Sequence, residues 1–152
     1  MKNTACELHE IISDYELKIN ALSELEFSVK PFPNKWSKKE VVGHLIDSAQ
    51  NNLRRFVCGQ YETQPPTIVY HQDFWVKSMG YQHMSSKDVI QLWKLLNFRI
   101  CEVLANMSEA NYKKECNTGG LHTLEWLATD YVKHLKHHLN QIISGSFDVI
   151  YT

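Results

Sequence analysis

His134 and His138 stand four residues apart in the run His134-Leu135-Lys136-His137-His138. On a helix this interval places both imidazoles on one face, about one turn from each other. Two rings so disposed can ligate a single divalent ion, which is the chemistry that the spacing offers. Two half-exposed surface histidines produce the same interval, so the pair alone leaves both readings open. Leu135 follows His134, so the HExxH pattern of zinc proteases fails, and a third ligand must come from another helix. Among the remaining histidines His44 is the best candidate. It lies off the apolar stripe of its segment, on the side that carries Ser48, Asn51 and Arg55. That side faces either solvent or a polar cleft, and periodicity does not separate the two cases. Gln141 shares the shoulder of His134 and His138 and could orient a ligand, whereas His137 points further toward solvent.

Four amphipathic segments must position these side chains. The first spans residues 4–24, with Ala5, Leu8, Ile12, Tyr15, Ile19 and Leu22 in one seam. The second starts after Trp36, where Ser37 and Glu40 form a capping box, and buries Val42, Leu45, Ala49, Leu53 and Phe56. Pro31 and Pro33 keep the preceding stretch out of the helix. The third runs from Ser85 or Ser86 to about residue 107 on Val89, Trp93, Leu96, Ile100 and Val103. The fourth opens on Thr123 as N-cap and stops before Gly145, with Leu124, Ala128, Tyr131, Leu135, Leu139 and Ile142 inward. No β-run has comparable strength. The expectation is all-α: a four-helix bundle.

Two connections differ. Residues 116–122, around Gly119-Gly120, read as a flexible turn. Residues 60–84 are too long for a mere connector and carry Tyr61, Tyr70, Phe74, Trp75 and Tyr81. This segment is either functional or a lid over the bundle end, with His71 to Trp75 as a short helical turn.

The chain has 152 residues, 43% hydrophobic and 22% charged, which suits one globular domain over residues 1–152. Sixteen basic against seventeen acidic residues give a net charge of -1, so nothing favours nucleic acid as a partner. No apolar run approaches the length of a membrane span, and the N-terminus lacks a signal-peptide core, so a cytoplasmic location is expected. Cys6, Cys58, Cys101 and Cys116 show no CxxC pairing and read as free, partly buried thiols.

Several blocks resemble the DinB-like (YfiT-type) superfamily. Lys35-Trp36-Ser37, Glu40 and His44-Leu45-Ile46-Asp47 are similar to its helix-two signature. Gln72-Asp73-Phe74-Trp75-Val76 with Tyr81, and Leu92-Trp93 through Leu96-Asn97, resemble its interhelical segment and third helix. Thr123-Leu124 and His134 through Ile142 resemble its terminal signature. The resemblance implies up-down-down-up topology with a long crossover between helices two and three. It also implies a metal held by His44, His134 and His138, and pairing as a homodimer. Many members carry an acid where Leu135 stands, so no role for that acid transfers to this chain.

Three neutral imidazoles leave coordination positions open, the pattern of a catalytic rather than a structural site. Such ligands suit zinc and nickel first, with copper and iron also compatible. Metal-bound hydroxide would make the protein a hydrolase. A metal-bound low-molecular-weight thiol attacking a small electrophile would make it an S-transferase. The family resemblance supports both, since its relatives use bacillithiol, mycothiol or glutathione, or are classed as metal-dependent hydrolases. A non-catalytic metal- or small-molecule-binding stress protein is the third reading, and a plain interaction module, with incidental histidines, the fourth. Transfer is preferred because no acid or base adjoins the ligands. Asp73 is the candidate proton shuttle, with Asp47 a second, and Asp47, Ser48, Asn51, Gln141 and Trp75 are expected around the pocket.

Overall fold

The computed structural model describes residues 1–151; Thr152 lies outside them. Four long helices form the bundle: α1 (Lys2–Asn20), α3 (Lys38–Tyr61), α5 (Ser86–Asn106) and α6 (Leu124–Ile142). Short helices α2 (Glu24–Ser28) and α4 (Gln72–Met79) lie in the connections, together with a hairpin of β1 (Glu115–Asn117) and β2 (Leu121–Thr123). Side-chain partners set the helix directions. His9 stacks on Phe98 while Glu16 pairs with Lys94, so α1 and α5 are antiparallel. His44 meets His134 and His138 while Gly59 abuts Leu124, so α3 and α6 are antiparallel. Ser37, capping α3, hydrogen-bonds Gln82 just ahead of α5, so α3 and α5 begin at the same end. The order is therefore up-down-down-up, and the crossover carrying α4 returns the chain to where α3 began.

Local signals place the helix starts. Ser37 Oγ accepts from the Glu40 amide and the Glu40 carboxylate accepts from the Ser37 amide, the reciprocal capping box. Thr123 Oγ1 accepts from the Trp126 amide at 3.2 Å and opens α6. Ser85 does the same for α5. The first helix is shorter than its seam predicts. A second capping box, Ser23 with Glu26, starts α2 and leaves Leu22 in the turn. The 116–122 segment is an ordered antiparallel hairpin, not a flexible turn. Its Cys116 is fully buried and donates to the Pro66 carbonyl, and Asn117 bonds Pro66 and Ile68 along the crossover. The short turn expected at His71 is an eight-residue helix, capped by the His71 ring accepting from the Phe74 amide.

The core is one cluster in which Leu8, Ile12, Val42, Leu45, Phe56, Trp93, Ile100 and Leu135 are all but fully buried. At Gly43 a Cβ would come within 2.2 Å of the Tyr81 ring. Only glycine lets that ring lie directly on α3. All four cysteines are free, with Cys101 and Cys116 buried. No helix among the described residues is long and apolar enough to cross a membrane.

Candidate metal centre

On α3 the polar side is buried as thoroughly as the apolar one. His44, Asp47, Ser48, Asn51, Asn52 and Arg55 are each at most 9% exposed. The open question at His44 is thereby resolved: its side of the helix faces a polar cleft against α6, and the ring is fully buried. From α6, His134 and His138 enter the same cleft, each half-buried. One ring nitrogen of each of the three histidines lies within 4.8 Å of the others. The closest pair is His44 Nε2 and His134 Nε2, at 3.2 Å. Two imidazole nitrogens about 2.0–2.1 Å from a common ion, spread at a tetrahedral angle, lie roughly 3.3 Å apart. The His44–His134 spacing therefore fits a shared divalent transition metal, and His138 is near enough to serve as the third donor.

The rings are held in the form that binds metal. Burial pushes the His44 imidazolium down to about 3, with His138 adding to the shift. His134 falls to about 2, through burial and then its neighbours His138, His44 and His137. His138 falls to about 4, again mainly by burial, with its Gln141 contact opposing. All three are neutral near pH 7 with lone pairs available.

Surrounding contacts set their orientation. The Trp36 indole stacks on His44, ring centroids 5.2 Å apart. Tyr151 lies edge-on to His134 at 5.2 Å. Gln141 reaches His138 Nδ1 through Oε1 at 3.3 Å, which leaves the far nitrogen for the cluster. Its amide also contacts His137 Nε2 at 3.3 Å, so His137 is tucked beside His138 instead of standing clear in solvent.

Two cavities border the cluster, one at His138 and the other at His134. The larger, about 710 Å³, is lined by Val29, Pro31, Phe32, Trp36 and Val41, with Asp73, His138 and Gln141 among its polar members. The smaller, about 210 Å³, is bounded by His134 together with Ser48, Asn52, Arg55, Tyr70 and Tyr151.

The expected surroundings divide accordingly. Asp73 and Gln141 line the larger cavity and Ser48 the smaller. Asn51 spends its amide on the Asp47 carbonyl one turn back. Trp75 lines neither cavity and packs edge-on against Tyr70. Asp47 is fully buried and accepts from the Tyr81 hydroxyl at 2.6 Å. Burial raises its carboxyl to about 6 against that hydrogen bond. Arg55, Trp36, Tyr70 and Tyr151 were not among the expected site residues. Arg55 sits on the same helical side as His44, and Trp36 directly precedes the cap, so both positions carried a signal. Tyr151 carried none, because only the folded chain brings it back over α6.

With the geometry in place, comparison with known proteins supplies the lineage. Residues 7–142 match the model of the DinB superfamily. The chain belongs to this superfamily. A Geobacillus thermodenitrificans protein, provisionally named a metal-dependent hydrolase, is 28% identical over 112 residues, 72% of this chain. The match spans 63% of that relative, so the chain covers less than two thirds of its length. YfiT of Bacillus subtilis, with the same provisional name, is 22% identical over 89% of this chain and 78% of its own. The solved YfiT structure, described as having an unusual four-helix bundle topology, superposes with a TM-score of 0.82 at 21% identity, covering 92% of this chain and 82% of that one. A mycothiol-dependent maleylpyruvate isomerase shares the fold at TM-score 0.71 and 10% identity, over 98% of this chain and 62% of its own.

Proposed function

We propose that His44, His134 and His138 hold one divalent transition metal, zinc or nickel, and that the site joins a low-molecular-weight thiol to a small electrophile. The observation that carries this reading is the cluster itself. Three neutral imidazoles converge with no carboxylate hydrogen-bonded to any of them among the described residues. When bound, the ion would supply Lewis acidity, lowering the pKa of a thiol or water at its open position.

The chain's own residues do the rest. Trp36 and Gln141 fix the rings of His44 and His138. Val29, Pro31, Phe32 and Val41 give the larger cavity an apolar wall that would seat the electrophile and exclude water. Thiolate attack asks little proton transfer of its surroundings, whereas hydrolysis needs a group to protonate the leaving atom. The mycothiol dependence of the maleylpyruvate isomerase supports the thiol, and its fold is the one observed here.

Hydrolysis is the second reading. Asp73 lines the cavity that His138 faces, and the curated relatives carry provisional hydrolase names. Metal-loaded protein should be assayed for conjugation of a thiol to a chlorodinitrobenzene and, separately, for hydrolysis of a nitrophenyl ester. Conjugation that survives Asp73→Ala supports transfer. Ester hydrolysis without conjugation, abolished by Asp73→Ala at unchanged metal content, establishes the hydrolase.

A further inference from the structure

The smaller cavity carries a feature that metal binding does not use. Arg55 projects from α3 with 9% of its surface exposed, a cation taken almost entirely out of water. Buried guanidinium groups are ordinarily matched by a carboxylate. Among the described residues no carboxylate oxygen lies within salt-bridge distance of Arg55. Nε and Nη2 instead donate to the Ile68 carbonyl at 3.1 and 2.8 Å, and Nη1 donates to Asn52 Oδ1 at 3.3 Å. Those bonds engage three of the five N–H groups that a guanidinium offers, leaving two unengaged.

Asn52 holds this fork in place: Oδ1 accepts from Arg55, and Nδ2 donates to the Ser48 carbonyl and Oγ at 2.9 and 3.3 Å, which leaves the Ser48 hydroxyl hydrogen as a donor. Ser48, Asn52 and Tyr70 line the cavity with Arg55, and the guanidinium lies 5.8 Å from the centre of the Tyr70 ring. Asp130 also lines the cavity, where it accepts from the Tyr151 hydroxyl at 3.2 Å; its charge acts on Arg55 through space, but no salt bridge joins the two. His134 lines the same cavity. A ligand filling this cavity therefore borders both His134 and a cation that has no salt-bridge partner among the described residues.

We infer that this cavity is a carboxylate subsite in which Arg55, held by Asn52 and aided by the Ser48 hydroxyl, binds the anionic end of a small molecule whose reactive end meets His134. The inference deepens the proposed function by naming the charge of the ligand, and it rests on that reading for which end reacts. The carboxylate belongs either to the thiol or to the electrophile; fork recognition of a planar oxyanion is the same for both.

Calorimetric titration of 3-mercaptopropionate against its neutral amide, in metal-free and metal-loaded protein, tests the subsite. Succinate against succinamide, the thiol-free pair, separates the two sources. Wild type should prefer the carboxylate by about tenfold, the scale of one charge-assisted hydrogen-bond pair, with or without metal. Arg55→Gln should lose the preference while keeping its metal. Because Arg55 also anchors Ile68, Asn52→Asp is the companion variant: it sets a carboxylate against Nη1, leaves the Ile68 bonds in place and should likewise abolish the preference. A carboxylate preference confined to the mercapto pair assigns the subsite to the thiol; one shared by succinate assigns it to carboxylates generally. Equal binding of acid and amide by wild type overturns the inference. So does a preference that appears only with metal and persists in Arg55→Gln, which would place the carboxylate on the ion. Metal content, measured on the same samples, reports separately on the three histidines.

Discussion

The α1–α5 and α3–α6 pairs are built from helices of similar length, yet they bury different chemistry. Between α1 and α5 the buried surface is largely apolar, with Leu8, Ile12, Tyr15 and Ile19 on one helix, Val89, Trp93, Ile100 and Leu104 on the other, and the Glu16–Lys94 ion pair at the edge. Between α3 and α6 the apolar seam is confined to one side, through Leu45, Phe56, Leu135 and Leu139. The other side takes His44, Asp47, Ser48 and Arg55 out of water. Burying polar groups opposes folding unless they find partners; in the cleft His44 Nδ1 and Asp47 Oδ2 are buried without a hydrogen bond, as are the Tyr15 hydroxyl and the Trp93 indole N–H of the other pair. The difference lies in the titratable and charged groups: the α3–α6 pair gives part of its contact to them, and the α1–α5 pair keeps its Glu16–Lys94 ion pair at the edge.

Removing the ligands should have the largest effect. His134→Ala/His138→Ala is expected to reduce metal from about one ion per chain to none by elemental analysis and to abolish activity, with the helical circular dichroism retained. Loss of fold instead would mean that this half is structural, and the contrast between the pairs would disappear.

On the other pair, Ile12→Ala should destabilise the protein by about 2–5 kcal/mol, the range for an aliphatic side chain cut from a packed core. Its metal stoichiometry should be unchanged. Urea denaturation together with metal analysis checks both points. Gly43→Ala sharpens the comparison, since it drives a methyl into the Tyr81 ring on the cleft side. Overpacking of that kind typically removes about 1–3 kcal/mol.

Acid should act on the cleft. Folding lowers the pKa of His44, His134 and His138 from near 6.5 to about 3, 2 and 4. Between those limits the unfolded chain binds more protons, so their contribution is complete above about 6.5 and is lost as pH falls. Asp47 works in the opposite sense. Its pKa rises from 3.8 to about 6 on folding, so its contribution is complete below 3.8 and is lost as pH climbs through about 6. Metal-free protein should have a lower urea midpoint at pH 5 than at pH 7, and His134→Leu/His138→Leu should flatten that difference. An unchanged difference in this variant would show that the histidines do not carry the acid sensitivity.

The smallest effect is expected at the α1–α5 edge. Glu16→Gln breaks the partly exposed pair with Lys94 and should shift stability by no more than about 1 kcal/mol.

Much of this was legible in the chain because the signals are local. Ser37 with Glu40, Thr123 and the i, i+4 histidines act within one helical turn, so residue type and spacing determine where α3 and α6 begin and that His134 and His138 share a face. The break after Asn20 was equally local, in Ser23 and Glu26, but the continuous apolar seam masked it. What lies beyond one helix was decided by packing. A helical wheel shows that His44 leaves the apolar stripe without showing what stands opposite. Its burial follows from α6 lying antiparallel to α3, ninety residues later in the chain. The same holds for Arg55, whose position on α3 was readable while its burial against Ile68 and beside His134 was not. Periodicity reports the environment along a helix axis; the partner across a cleft depends on contacts that only the folded chain makes.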